Sequence, residues 1–407
     1  LGDVYKRQIY LFAWSFGVYM AALTIEACNL NPTLAIAVNG SPFPIDDSKG
    51  IPHAIFDGTL NGLSPRNVDK FYNRMCSSRE EFMRFMSHAP GRSLDNLKDE
   101  LSAIGSRAGS TPAPDIKWDR IIIAENDRIF PVDNLRQAWK DNHRVRSISS
   151  GHLPDWQKLI EQEIIDKQLV KEKFNRSAPD YDANATVQHK IATELWRLWR
   201  NATPHKPLSI LEVGYGTGLL TRLYTDAWHP YRLSLWDLAP QPFTLPEAGE
   251  IIAGDAEELI TTVPDSFFEA IASSSCMQWF DSPKAFIREA ARATVPGGII
   301  ALSTFGPDNM REITGLTGMP LRYYSVDEIR DMIPDCCRIL EIKEQHLTLT
   351  FTSPRLVMSH LRNTGVNAIR HAGISTKEFL SRYPVDSDGA GLTYHPIYII
   401  LKRTDNE

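Results

Sequence analysis

Ser15 stands in Ala13-Trp14-Ser15-Phe16-Gly17, between an apolar run that reads as a strand and a helical pattern reaching Ala22. A serine on such a turn holds its hydroxyl out at a helix N-terminus, the shape of a nucleophile elbow. Alanine replaces the first glycine of the usual G-x-S-x-G, and it is small enough for the tight turn. Further on, Asp127 follows a buried-strand pattern, Ile121 to Ala124, and His152 lies in the loop SISSGHLPDW. Ser15, Asp127 and His152 suit acyl transfer to a serine. His152 would take the serine proton, Asp127 would fix the imidazole tautomer, and the Phe16 backbone N–H would donate to the oxyanion.

A second constellation fills the other half. In ILEVGYGTGLLT, 210–221, an apolar strand pattern runs into Glu212, then Gly214, Gly216 and Gly218 alternate before a helix begins. Backbone without side chains can press against a nucleotide-like ligand. A second strand pattern ends at Asp237, about 25 residues past Glu212, where a carboxylate can accept both ribose hydroxyl hydrogens. In IIAGDAEEL a third strand pattern leads to Asp255 and Ala256, placed to meet an adenine. The spacing is GxGxG, not GxGxxG, and no Lys or Ser grips a phosphate, so a dinucleotide is disfavoured.

These residues need two α/β supports. The order Ser, acid, His is the α/β-hydrolase order, and residues 1–160 are expected to form that domain. Its middle, Asn39 to Ile51, is loop-rich, Pro65 to Leu101 is helical and charged, and GSRAGSTPAPD, 105–115, reads as a loop. A hydrolase of this kind has strands ahead of the elbow and a loop from them that supplies the second oxyanion donor. Only LGDVYKRQ precedes the strand here, so this half is expected to be incomplete, with an exposed sheet edge. HLPDWQKLIEQEIIDKQLVKEKF reads as one long amphipathic helical stretch joining the halves. Residues 165–404 alternate strands and helices, as in a parallel sheet covered on both faces.

Composition narrows the rest. At 407 residues the chain is comfortable for two domains, and 43% hydrophobic content gives each a core. A net charge of -6 leaves no basic excess for a nucleic acid. The five cysteines show no metal-ligand spacing, so no metal is expected, and reduced thiols fit a cytoplasmic protein. No segment reaches the roughly 20 apolar residues of a membrane span.

The glycine turn, Asp237 and GDAEEL together resemble the Rossmann-like class I S-adenosylmethionine-dependent methyltransferases. The flanks KEKFNRSAPDYDANATVQHKIATEL, SSSCMQWF, STFGPDNMREI, RYYSVDEI and HLRNTGVNAI resemble malonyl-acyl-carrier-protein O-methyltransferases of biotin synthesis. That resemblance implies S-adenosylmethionine as cofactor and a carrier-bound malonyl carboxylate as acceptor. Tyr181, Gln278 and Trp279 are the candidates near the methyl group. Arg322, Arg355, Arg362 and Arg370 are candidates for the carrier or the carboxylate. In the first half, AWSFGV, NGSPFPIDDSKGIPHAIFDGTL, WDRIIIAENDRIFPVDN and GHLPDW resemble atypical pimeloyl-acyl-carrier-protein methyl ester esterases. Such an enzyme removes the methyl that the other installs. Two rivals remain: a methyltransferase for another carboxylic acid, and an N-terminal half that only docks the carrier.

Overall fold

The structure, a computed structural model, describes residues 9–142, 144–246, 248–317, 323–364 and 375–404. The chain divides into two compact units, Leu1–Glu163 and Ile164–Glu407.

The first unit is built on four parallel strands in spatial order β1 (Tyr10–Trp14), β2 (Leu34–Val38), β3 (Arg120–Ala124) and β4 (Val145–Ile148). LAIAV and RIIIA are buried at every position, as strands covered on both faces must be. Among the described residues β1 pairs only with β2, so its outer edge carries no strand. The link from β2 to β3 holds four helices, His53–Asn61, Pro65–Met75, Arg79–Met86 and Leu94–Ser110. The last of these corrects the expected loop at 105–115, whose first half is helical. Leu94, Leu97, Leu101 and Ile104 recur at helical spacing, and Gly105 lets that face approach Phe56. A Cβ there would stand 2.9 Å from the Phe56 ring. Gly and Ser content alone pointed to a loop; apolar spacing and packing prevailed.

The second unit carries seven strands in the order β10-β13-β9-β8-β5-β6-β7. In chain order these are β5 (Ser209–Val213), β6 (Arg232–Asp237), β7 (Ala248–Ala253), β8 (Phe268–Ser273), β9 (Thr294–Phe305), β10 (Cys337–Glu344) and β13 (Pro396–Arg403). β11 (Leu347–Phe351) and β12 (Ala390–Tyr394) form a separate antiparallel pair. The five strands from β7 to β9 are parallel, but β13 runs antiparallel to both β9 and β10. The parallel sheet expected from sequence is present in those five strands, and β13 and β10 extend it into a mixed one. Helix Thr186–Ala202 buries Val187, Ile191, Leu195 and Trp199 on one face of the sheet. Helix Pro283–Ala293 buries Phe286, Ile287 and Ala290 on the other.

The long helical stretch expected across the junction is interrupted. Trp156–Glu163 stops, and Lys167–Asn184 starts afresh with Asp166 accepting the Leu169 N–H at 2.9 Å. An Asp at this position competes for the backbone and caps a new helix, which amphipathic spacing alone does not reveal.

Two candidate active sites

The turn between β1 and helix Gly17–Ala27 holds Ser15 at φ +59°, the left-handed region, which strains a residue with a side chain. Its N–H is tied to the Val38 carbonyl at 3.0 Å. His152 Nε2 lies 3.0 Å from Ser15 Oγ, and His152 Nδ1 lies 2.8 Å from Asp127 Oδ2. The other Asp127 oxygen accepts the backbone N–H groups of Ile129 and Phe130 at 2.8 and 3.0 Å. Asn39 and the Trp14 indole both donate to the His152 carbonyl at 2.8 Å, and Phe130 stacks on the imidazole. Histidine and aspartate are buried, and each is held from several sides. The Phe16 N–H has no acceptor among the described residues and points from the start of an 11-residue helix.

A cavity of about 2410 Å³, its open mouth included, lies against Ser15 and His152. Its walls come from the four helices between β2 and β3, through Phe56, Phe71, Phe85, Leu101 and Ile104. The sequence shows Pro65 to Leu101 as helical and charged; the inner faces of these helices line a largely apolar cavity.

In the second unit a cleft of about 1050 Å³, open mouth included, lies beyond the C-terminal ends of β5, β6 and β7. Gly214, Gly216 and Gly218 all have positive φ. A Cβ on Gly214 would meet Cys276 Sγ at 2.3 Å, and one on Gly218 the Phe243 ring at 2.5 Å. Gly216 faces open space, as a backbone that a ligand covers should. Asp237 Oδ2 accepts the Gly216 N–H at 2.9 Å and Oδ1 the Ala239 N–H at 2.8 Å. Burial raises its pKa, and those two donors pull it back down. Asp255 Oδ1 accepts the Glu257 N–H, and Oδ2 lies 3.3 Å from Lys167 Nζ. Ala256 is buried beside it.

Glu212 does not point at the cleft alone. One of its oxygens accepts both the Thr221 and Tyr224 hydroxyls at 2.7 Å, locking the turn to the helix after it. Burial pushes its pKa up to about 7. Between the ordinary carboxylate range and that value the folded chain binds a proton that the unfolded chain has lost. Stability therefore falls as pH rises through this interval. Glu212→Gln keeps an oxygen acceptor and cannot ionise. It should remove about 2 kcal/mol of the stability loss between about pH 5 and about pH 7. Denaturant melts of both proteins at the two pH values measure this; identical pH dependence would refute it.

Helix Lys167–Asn184 borders the cleft. Lys167 Nζ reaches Glu257 at 2.7 Å and the Trp279 carbonyl at 2.9 Å. Burial works against its charge, but Glu257, Asp255 and Asp281 hold the ammonium above its ordinary range. At the other end Asp182 accepts from Thr217 in the glycine turn. Tyr181 lines the cleft, and burial raises its phenol, which stays protonated. Burial likewise keeps Cys276 a thiol.

A smaller recess opens off the cleft, sharing Tyr181, Gln188, Ser275 and Trp279 with it and adding Gln278, Asn309 and Tyr323. The loop that carries Asn309 is pinned by a buried histidine. His395 Nδ1 accepts the Asp308 N–H at 3.2 Å, so Nε2 carries the proton towards Glu344. Asp308, His346 and His395 offer ligand atoms within 4.8 Å of one another, a cluster that residues so far apart in sequence could not announce. Arg355 and Arg362 are exposed on helix Pro354–Asn363. Arg322 and Arg370 lie outside the described residues.

A mixed seven-stranded sheet with a glycine turn at the end of β5 and an acid at the end of β6 is a Rossmann-like methyltransferase. Here it follows an α/β unit with a serine–histidine–aspartate arrangement. Residues 3–159 match the family Pimeloyl-ACP methyl esterase BioG, and residues 211–302 match a methyltransferase domain. A malonyl-[acyl-carrier protein] O-methyltransferase of Bacteroides fragilis is 36% identical over 97% of this chain and 83% of its own length. One from Chlorobium luteolum is 32% identical, over 59% of this chain and 97% of its own. The chain belongs to the malonyl-[acyl-carrier protein] O-methyltransferase family, fused to a BioG-type domain, and its cofactor is S-adenosylmethionine. The crystal structure of BioG from Haemophilus influenzae is 35% identical, covering 36% of this chain and 67% of that one, with a TM-score of 0.34. No helix among the described residues is long and apolar enough to cross a membrane.

Proposed function

We propose that the second unit methylates the free carboxylate of a malonyl thioester on acyl carrier protein, and that the first hydrolyses the methyl ester of the pimeloyl thioester. The two reactions bracket chain elongation in biotin synthesis, in the cytoplasm, where the five unpaired cysteines would stay reduced. The observation that carries the methyltransferase reading is Asp237 at the end of β6, bonded to Gly216 and facing the cleft.

S-adenosylmethionine supplies a sulfonium methyl when bound. Gly214, Gly216 and Gly218 would give its amino acid part close backbone approach, Asp237 would accept from the ribose hydroxyls, and Asp255 with Ala256 would meet the adenine. Lys167, also on the cleft, lies 3.3 Å from Asp255 Oδ2. The acceptor carboxylate is already ionised near neutral pH, so no residue has to act as base. Tyr181, protonated, and Trp279 shape the space in which an oxygen meets the methyl carbon.

In the hydrolase unit His152 takes the Ser15 proton as Oγ attacks the ester carbonyl, and returns it to departing methanol. Water then repeats the cycle on the acyl-serine. Asp127 holds the imidazole, and the Phe16 N–H meets the oxyanion. The large, mainly apolar cavity suits the methylene chain of a pimeloyl group better than the short malonyl group.

The rival reading of the first unit as a docking module finds little support in three residues within hydrogen-bond reach in a buried setting. Incubation with methyl-labelled cofactor and malonyl-carrier protein should move label onto the carrier. Label on another carboxylic acid but not on malonyl-carrier would remove this acceptor.

A further inference from the structure

The recess beside the cofactor cleft has a wall of unsatisfied polar atoms. Gln188 Oε1, Ser275 Oγ, Gln278 Oε1 and Trp279 Nε1 are buried without a hydrogen-bond partner among the described residues. The Tyr181 hydroxyl makes no hydrogen bond to a described residue either. Buried polar groups are rarely left without a partner, whether protein, water or ligand, and four of these atoms line one recess. Ser275 also sits at φ +53°, a conformation that costs a non-glycine residue energy and recurs at functional sites. None of the described residues lining the recess carries a charge.

Resting on the reading that the acceptor is a free carboxylate, we propose that this carboxylate is held by uncharged donors alone: the Trp279 indole N–H, the Ser275 and Tyr181 hydroxyls, and the Gln188 amide. Gln188 makes no side-chain hydrogen bond to a described residue, so its amide is free to turn its nitrogen inward. Gln278 takes no part. Its amide nitrogen donates to the Ser275 carbonyl at 2.6 Å, which fixes the free oxygen as an acceptor that would repel a carboxylate.

The reason lies in the charge balance of the reaction. A carboxylate oxygen forms a bond to the methyl carbon while the carbon–sulfur bond breaks and its electron pair goes to sulfur. No proton moves. One negative and one positive charge become a neutral ester and a neutral thioether. A guanidinium clamp would bind the carboxylate most strongly before reaction and progressively less as its charge disappears, deepening the ground state and raising the barrier. Neutral donors orient the same oxygens with less of that penalty, and a dry, uncharged recess favours loss of charge. They also let the neutral ester leave.

The test measures KM and kcat for malonyl-carrier protein, with cofactor affinity by calorimetry as the check on folding. Trp279→Phe, Ser275→Ala and Gln188→Leu should each raise KM roughly 10- to 100-fold, as expected for a lost hydrogen bond to a charged group. These residues also border the cofactor cleft, so cofactor affinity should fall in each variant by a smaller factor than KM rises, with binding retained. Gln278→Leu should leave KM unchanged or lower it. Gln188→Arg should lower KM and lower kcat at least about tenfold. Unchanged KM in the first three variants overturns the cradle while the acceptor stands. So does a raised kcat in Gln188→Arg, or a lost carboxylate preference in Arg322→Gln alone. An unaltered chain that methylates another carboxylic acid but not malonyl-carrier protein overturns the acceptor instead.

Discussion

Ser15→Ala should lower hydrolysis of pimeloyl-carrier methyl ester by about 10⁴-fold or more and leave methyl transfer to malonyl-carrier protein unchanged within about twofold. The expected size follows from how the three residues are bonded. With Oγ gone, His152 Nε2 has nothing to deprotonate, and Asp127 orients a ring that no longer acts. His152→Ala should therefore cost nearly as much as Ser15→Ala, and the double variant hardly more, because members of such a unit fail together. The cleft of the second unit shares no lining residue with the serine cavity, which is why methyl transfer should survive. A variant without Ser15 that keeps most of its hydrolysis would place the chemistry elsewhere. Additive losses in the double variant would mean that the 3.0 Å and 2.8 Å contacts do not work as one relay.

The residues that sequence made legible share a property: their chemistry is local. A serine between a strand and a helix, or glycines at alternate positions after a strand, can be read because neighbours in the chain are also neighbours in space. Asp127 could be named because a strand pattern ahead of it fixes where its loop emerges, and His152 because it follows in a loop in the Ser, acid, His order. What stayed hidden depends on contacts between distant segments. Lys167 reads as one charge within an amphipathic helical stretch, yet it is half-buried against Glu257 and Asp255, some 90 residues away. Asn309 reaches the recess beside the cleft where β9 pairs with β13 and His395 holds the loop after β9. The antiparallel insertion of β13 was invisible for the same reason, since an all-apolar strand such as PIYIIL reads alike in either direction. The helix at Gly105–Ser110 shows the opposite failure: glycines and serines spoke for a loop, and packing against Phe56 overruled them.

Asp237→Asn should weaken S-adenosylmethionine binding about 100- to 1000-fold, more than the loss of one polar contact would suggest. The carboxylate serves two surfaces at once. Inside the chain it accepts N–H groups from Gly216 and Ala239, one on each oxygen. Towards the cleft its remaining lone pairs face the position of the ribose hydroxyls. An amide cannot replace it, because whichever way it turns, its NH₂ group confronts a backbone N–H. Two hydrogen bonds to a charged acceptor, at about 1.5–2 kcal/mol each, the low end for such bonds, give the expected range. The disturbed Gly216 amide adds a second signature. The glycine turn should loosen, so hydrogen exchange at Gly214 to Gly218 should quicken in the variant without ligand. Asp255→Asn makes a useful contrast: it keeps the Oδ1 acceptor for Glu257, while Lys167 retains Glu257 itself as a partner at 2.7 Å. Its loss should be smaller and confined to the adenine end. Equal losses in the two variants, or normal affinity in Asp237→Asn, would mean that the end of β6 does not hold the ribose.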